Sequence, residues 1–184
     1  MKVTHDSGGV IICKKKSEFD RDRAIQKLTK SLKRKYYKVH REWPYKDIKP
    51  RVIAEMYLED TVYNELPDYK FMCFDGKVKC VFVCTNRYSD KGLHVTFFDR
   101  NWDRMPFERR YPAECGAIAK PQNYDTMIEI AEKLTAGIPF ARVDLYEIKG
   151  RIYFGEITFY PGSGYEEFTP EKWDYILGSW INLP

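Results

Sequence analysis

The sequence predicts an α+β fold in which largely antiparallel sheet is flanked by helices. Strand-like apolar stretches come in pairs around the short turns Asp75-Gly76 and Lys149-Gly150, the spacing of hairpins rather than of strand–helix–strand crossovers. Three stretches with helical spacing of apolar residues lie outside these pairs, near the start, after residue 122 and at the end. A length of 184 residues suits one domain, or one and a fraction, and buries a core without disulfide or metal staples.

Residues 1–5 read as a strand entering the loop Asp6-Ser7-Gly8-Gly9, and residues 10–13 as a strand leaving it. A helix is expected over 17–37, with Ser17 as N-cap, Asp20 in its first turn, and Phe19, Ala24, Ile25, Leu28 and Leu32 as its apolar stripe. Residues 41–50, containing Trp43-Pro44-Tyr45, form an irregular connection. Strands are expected over 51–58, 69–74, 78–85 and 93–99. The segment 100–122 is polar and rich in Arg and Pro, a long loop of the kind that usually carries function. A helix over 123–136, capped by Asn123, directs Met127, Ile128, Ile130, Ala131 and Leu134 inward. A hairpin over 140–158 follows, then a Gly-rich loop, then a helix over 170–180 with proline at its start.

Composition excludes several function classes. The five cysteines are odd in number and sit mostly inside apolar strand-like runs, which favours reduced thiols in a cytoplasmic protein. No CxxC pair or Cys/His cluster suggests zinc, and His5, His40 and His94 form no recognisable catalytic set with Ser or Cys. No apolar run approaches the roughly twenty residues that span a bilayer. The net charge of +4 is mild and concentrated in Lys14-Lys15-Lys16 and in 27–38, a pattern of solvated helix faces rather than of nucleic-acid binding. The aromatic residues fall mainly in alternating strand patterns, where core packing accounts for them.

The hairpin over 140–158 carries the chemistry. Asp144 and Glu156 lie on its two strands, and Arg142 shares the face of Asp144 at the strand period of two. Mg²⁺ takes a few protein carboxylates and completes its shell with water and substrate phosphates, so this pattern suits a metal-phosphate site. It equally suits an amphipathic hairpin whose charges pair on a solvated face.

Read together with Lys2, the loop Asp6-Ser7-Gly8-Gly9 and the stretch Val52-Ile53-Ala54-Glu55-Met56-Tyr57-Leu58, the hairpin resembles an ATP-grasp protein, with three motifs in that family's order. The TupA-like branch, associated with teichuronopeptide and other bacterial surface-polysaccharide synthesis, is similar in Arg41-Glu42-Trp43-Pro44-Tyr45, in Asp68-Tyr69-Lys70-Phe71 and from Asp144-Leu145-Tyr146 through Gly162-Ser163-Gly164. The resemblance implies a small nucleotide-covering lobe over 1–50 and a larger lobe over 51–184. It implies that Lys2, Ser7, Gly8 and Gly9 contact nucleotide phosphates, that Glu55, Met56, Tyr57 and Leu58 form the adenine-binding hinge, and that Asp68 and Lys70 add polar nucleotide contacts. Asp144 and Glu156 match the carboxylates that hold Mg²⁺ against ATP, and Arg142 the arginine that steadies the transferring phosphoryl group. Thr158 stands where many relatives carry a metal-ligating asparagine; its hydroxyl can ligate directly or hold a water. Gly162, Ser163 and Gly164 match the loop that positions the acceptor. Arg87 and Lys120 read as surface charge.

The implied activity is ATP- and Mg²⁺-dependent joining of a carboxylate to an amine through an acyl phosphate, with substrates that the branch suggests are linked to saccharides. Full-length relatives carry a preceding region with another phosphate-contacting lysine, so the chain is expected to be N-terminally truncated and weak or inactive as a ligase alone. Two other readings stay open, a non-catalytic nucleotide- or polysaccharide-binding module and a polysaccharide-modifying glycosyltransferase.

Overall fold

A computed structural model describes residues 1–59, 66–87, 90 and 92–183. The chain forms two compact units, Met1–Leu58 and Glu59–Pro184. No helix among the described residues is long and apolar enough to cross a membrane.

In the first unit, β1 (Lys2–Val3) pairs antiparallel with β2 (Val52–Ile53), and Lys2 also bridges Val10 beyond the glycine loop. The turn expected between two strands is present, but residues 10–13 add only this bridge, and 54–58 leave the strand expected over 51–58. The helix expected over 17–37 is divided. A 3₁₀ turn at Lys16–Glu18 precedes α1 (Arg21–Leu32), and α2 (Tyr37–His40) stands apart. The cap is Asp20 rather than Ser17, because the Asp20 carboxylate accepts a 2.9 Å hydrogen bond from the Arg23 amide. Ala24 and Leu28 form the buried stripe of α1, and Val3 is buried in the same unit, whereas Ile25 is exposed.

The second unit is built on a five-stranded antiparallel sheet, ordered β5 (His94–Asp99), β4 (Lys77–Thr85), β3 (Asp68–Phe74), β7 (Phe140–Ile148), β8 (Arg151–Thr158). Both predicted hairpin turns place two consecutive residues at positive φ, Asp75 and Gly76 at 48° and 70°, Lys149 and Gly150 at 51° and 73°. That is the backbone of a type I′ turn, whose twist matches the flanking strands. One face of the sheet, with Phe71, Val81, Val143 and Leu145, packs on α3 (Tyr124–Leu134) through Tyr124, Met127, Ile128 and Ala131. Each large side chain buried in this way contributes about 1.5–3 kcal/mol. Leu134, expected inward, is exposed at the last turn.

The opposite face is divided. Near Phe74, Cys80 and Phe97 it is apolar, covered by α4 (Lys172–Gly178) and by a ribbon of β6 (Glu108–Arg109) and β9 (Phe168–Thr169). The ribbon lies partly inside the segment expected to be loop, because β6 finds its partner far away in sequence. Pro170 precedes α4 rather than opening it, since the helix begins after Glu171. Toward Asp68 the same face turns polar, and there the sheet carries its charged side chains.

Candidate functional site

Strand register assembles the site. Lys70, Asp144 and Glu156 form one row across β3, β7 and β8, and Met72, Arg142 and Thr158 form the next. A bulge beside Asp144 leaves Gly155 unopposed between Glu156 and Phe154. A Cβ on Gly155 would stand 2.9 Å from Tyr146 Cε2 and 3.0 Å from the Asp144 carbonyl oxygen. Glycine therefore lets the Tyr146 ring lie against the bulge.

All of β3 is buried, so its charged residues must be paired. Lys70 donates to Asp144 and stands 2.7 Å from Asp68, which also accepts a 3.3 Å hydrogen bond from Arg87. Arg142 donates to Asp144 from Nε at 2.6 Å and from Nη2 at 2.8 Å. The same Nη2 reaches Glu156 Oε1 at 3.0 Å and Thr158 Oγ1 at 2.9 Å, and Thr158 donates to Glu156 at 3.3 Å. One nitrogen thus stands where oxygens from Asp144, Glu156 and Thr158 converge. Burial opposes the charge of Arg142, but Asp144, followed by Glu156 and Asp68, outweighs it and raises the guanidinium pKa. Burial and then the neighbouring carboxylates Asp68, Asp144 and Glu156 push the Tyr146 phenol above its ordinary value.

The three oxygens suit a hard divalent cation, and a cationic nitrogen already stands among them. Mg²⁺ and Arg142 would compete for the same oxygens. Glu156 is the open side of the set, with its side chain 59% exposed against 2% for Asp144. Among the described residues, no group of three or more His, Cys, Asp and Glu side chains is arranged to hold a metal, so an ion here would draw on two carboxylates, a hydroxyl and non-protein ligands.

The other residues singled out in the sequence fall in two places. In the first unit, Lys2 forms a 3.0 Å ion pair with Glu55, Met56 is exposed, and Tyr57 lies beneath Lys14 Nζ at 5.6 Å; Leu58 closes that unit. Ser7 and Gly8 are exposed, and Gly8 has φ 86° with open space around it. Gly9 is instead buried, and a Cβ there would stand 2.8 Å from Ser31 Oγ on α1. In the second unit, Gly162, Ser163 and Gly164 all have positive φ, and the Glu166 side chain fills the space a Cβ on Gly162 would need, 2.4 Å from its Cδ.

Sequence reasoning missed Tyr146 and Arg109. Tyr146 had a signal, since it shares the strand face of Arg142 and Asp144. Arg109 had only its place in an Arg-rich segment. It is buried, with its guanidinium 4.5 Å from the Phe82 ring centroid and Nε 3.0 Å from Glu166 Oε2.

A family model described as TupA-like ATPgrasp matches residues 1–182. No curated protein and no solved structure matches the chain.

Proposed function

The chain belongs to the TupA-like ATP-grasp family, and from that membership we propose that it is an ATP- and Mg²⁺-dependent carboxylate–amine ligase acting on surface-polysaccharide or teichuronopeptide precursors. In this reading the γ-phosphoryl group of ATP passes to a substrate carboxylate, giving an acyl phosphate and ADP. An amine then attacks the acyl carbon, phosphate leaves, and an amide forms. The observation that carries the reading is the convergence of Asp144, Glu156 and Thr158 on the Nη2 of Arg142 in a chain of this family.

Each residue has a physical task. Asp144, Glu156 and Thr158 would hold Mg²⁺, which supplies charge neutralisation at the phosphate oxygens. Arg142, kept charged by Asp144, stabilises negative charge on the transferring group, since positioning and electrostatics dominate phosphoryl transfer. Lys70 offsets the two buried carboxylates Asp68 and Asp144, holding the acid row together whether or not Arg142 is engaged. Lys2, Ser7, Gly8 and Gly9 contact phosphates, and residues 55–58 contact adenine. The Gly162 to Gly164 loop receives the acceptor.

A thermal-shift panel tests the class of ligand. ATP with Mg²⁺ is expected to raise the melting temperature, because a ligand bound by the folded state alone stabilises it. Nucleotide sugars are expected to do nothing; stabilisation by a nucleotide sugar and not by ATP would favour a glycosyltransferase. ATP binding with no ADP release at all, even at slow turnover, across a panel of carboxylates and amines, would instead favour a non-catalytic nucleotide-binding module.

A further inference from the structure

The metal-phosphate reading leaves one buried cation on the same sheet face without a task. Arg109 is 7% exposed, and its guanidinium lies over Phe82 at 4.5 Å and near Phe97 at 5.8 Å. The guanidinium of Arg142 lies 5.9 Å from the same Phe82 ring. Two arginines thus share one aromatic floor.

Arg109 is poorly satisfied. Its Nε stands 3.0 Å from Glu166 Oε2, yet the N–H does not point at that oxygen and makes no hydrogen bond. Its terminal amines have no hydrogen-bond partner among the described residues. Glu166 is divided between Arg109 and Arg110, the latter at 3.6 Å, and is packed into the notch above Gly162. An arginine carries five N–H donors in a fixed fork that matches a carboxylate; here Nε–H is buried without a hydrogen bond, which is costly, while the terminal amines keep solvent contact and can meet a ligand. Burial pulls the Arg109 pKa down, Glu166 opposes the shift, and Arg142 adds to it. A further anion at this place would relieve both the desolvation and the repulsion between the arginines.

We propose that Arg109, beside Arg142 on the Phe82 ring, binds the carboxylate group of the acid substrate. The site itself follows from Arg109, Phe82, Arg142 and Glu166; its designation as the acid-substrate site rests on the ligase reading. The β6–β9 pairing has a role in this arrangement, since Arg109 pairs with Phe168 across the ribbon, two residues beyond Glu166. Arg109 is thereby a specificity residue supplied by the 100–122 segment.

Arginine Nε–H resonances in ¹H–¹⁵N spectra of the whole chain test this directly. Glutarate is the probe, with its neutral diamide and sodium chloride at matched ionic strength as controls. Glutarate is expected to shift the Arg109 Nε–H signal saturably, at about millimolar affinity, and the controls are not. Arg109→Lys, which keeps the charge and loses the fork, is expected to weaken binding about tenfold. Glu166→Gln is expected to strengthen it several-fold by removing the competing carboxylate, an effect that a purely structural clamp would not produce. No saturable shift in the folded wild type, unchanged affinity in Arg109→Lys, weaker binding in Glu166→Gln, or tighter binding of inorganic phosphate than of glutarate would each overturn the proposal. ATP·Mg²⁺ binding is measured separately. Its absence alongside a glutarate shift removes the ligase reading and leaves the carboxylate site, whereas the reverse removes the carboxylate site alone.

Discussion

Arg142 and Asp144, two residues apart on one strand, are joined by hydrogen bonds of 2.6 and 2.8 Å, with their side chains 10% and 2% exposed. Charge-assisted pairs of this kind are strong because solvent is excluded and the guanidinium fork matches the carboxylate. The pair also sets a conflict. The guanidinium that satisfies Asp144 reaches Glu156 and Thr158 as well, so it occupies the oxygens that a divalent cation would use.

Arg142→Gln is therefore expected to bind Mn²⁺, used as a spectroscopic substitute for Mg²⁺, more tightly than wild type in the absence of nucleotide. Removing the competing cation leaves two carboxylates facing each other, and an ion relieves their repulsion. Electron paramagnetic resonance of free Mn²⁺ would report a shift of about tenfold. Equal or weaker affinity in the variant would show that the guanidinium and the metal do not share oxygens.

Asp144→Asn is expected to destabilise the protein by about 3–5 kcal/mol, because Lys70 and Arg142 would stay buried with their common partner neutralised. Glu156→Gln is expected to cost far less, since that side chain is 59% exposed. Urea unfolding followed by tryptophan fluorescence separates the two. Similar losses in both variants would contradict the burial argument.

Gly155→Ala is expected to cost about 1–3 kcal/mol by forcing the new methyl against the Tyr146 ring and the Asp144 carbonyl. Tyr146→Ala should recover only part of the loss in the double variant, because the carbonyl contact remains. Thermal unfolding of the two single variants and the double variant measures the coupling.

Glu132 ties α3 to β4, accepting hydrogen bonds from Arg100, from Lys77 at 3.2 Å and from the Val78 amide at 3.1 Å. Burial would raise its pKa, but the bonds from Arg100, Val78 and Lys77 together bring it below the ordinary glutamate value. A depressed acid contributes stability that is fully present above its unfolded pKa, about 4.3, and is lost as pH falls through the folded value. The stability gap between wild type and Glu132→Gln should therefore be constant from neutral pH down to that point and shrink below it. A gap that widened on acidification would reverse the assignment.

The hairpin over 140–158 is legible in the sequence because its signals are local. Period-two alternation puts Arg142 and Asp144 on one face, and Lys149-Gly150 fixes the turn; that turn alone would set Asp144 opposite Gly155, and it is the bulge at Gly155 that brings Glu156 opposite Asp144. The remainder of the site depends on non-local pairing. Nothing near Lys70 says that β3 will lie beside β7, so its place between Asp68 and Asp144 emerges only when the sheet is assembled. Arg109 is hidden for the same reason, since β6 is two residues long and is defined by its partner β9. The cap of α1 shows a smaller limit. Ser17 and Asp20 both have capping side chains, and the choice falls to Asp20 because the chain turns through a separate 3₁₀ segment first.

The metal-phosphate site is tested most directly by calorimetric titration of ATP into the wild-type protein with Mg²⁺ and again with EDTA, repeated on Glu156→Gln. Binding is expected to be about tenfold or more tighter with Mg²⁺, and that metal dependence is expected to be lost in the variant. Absence of ATP binding by the folded wild type, or binding indifferent to both Mg²⁺ and Glu156, would contradict that expectation.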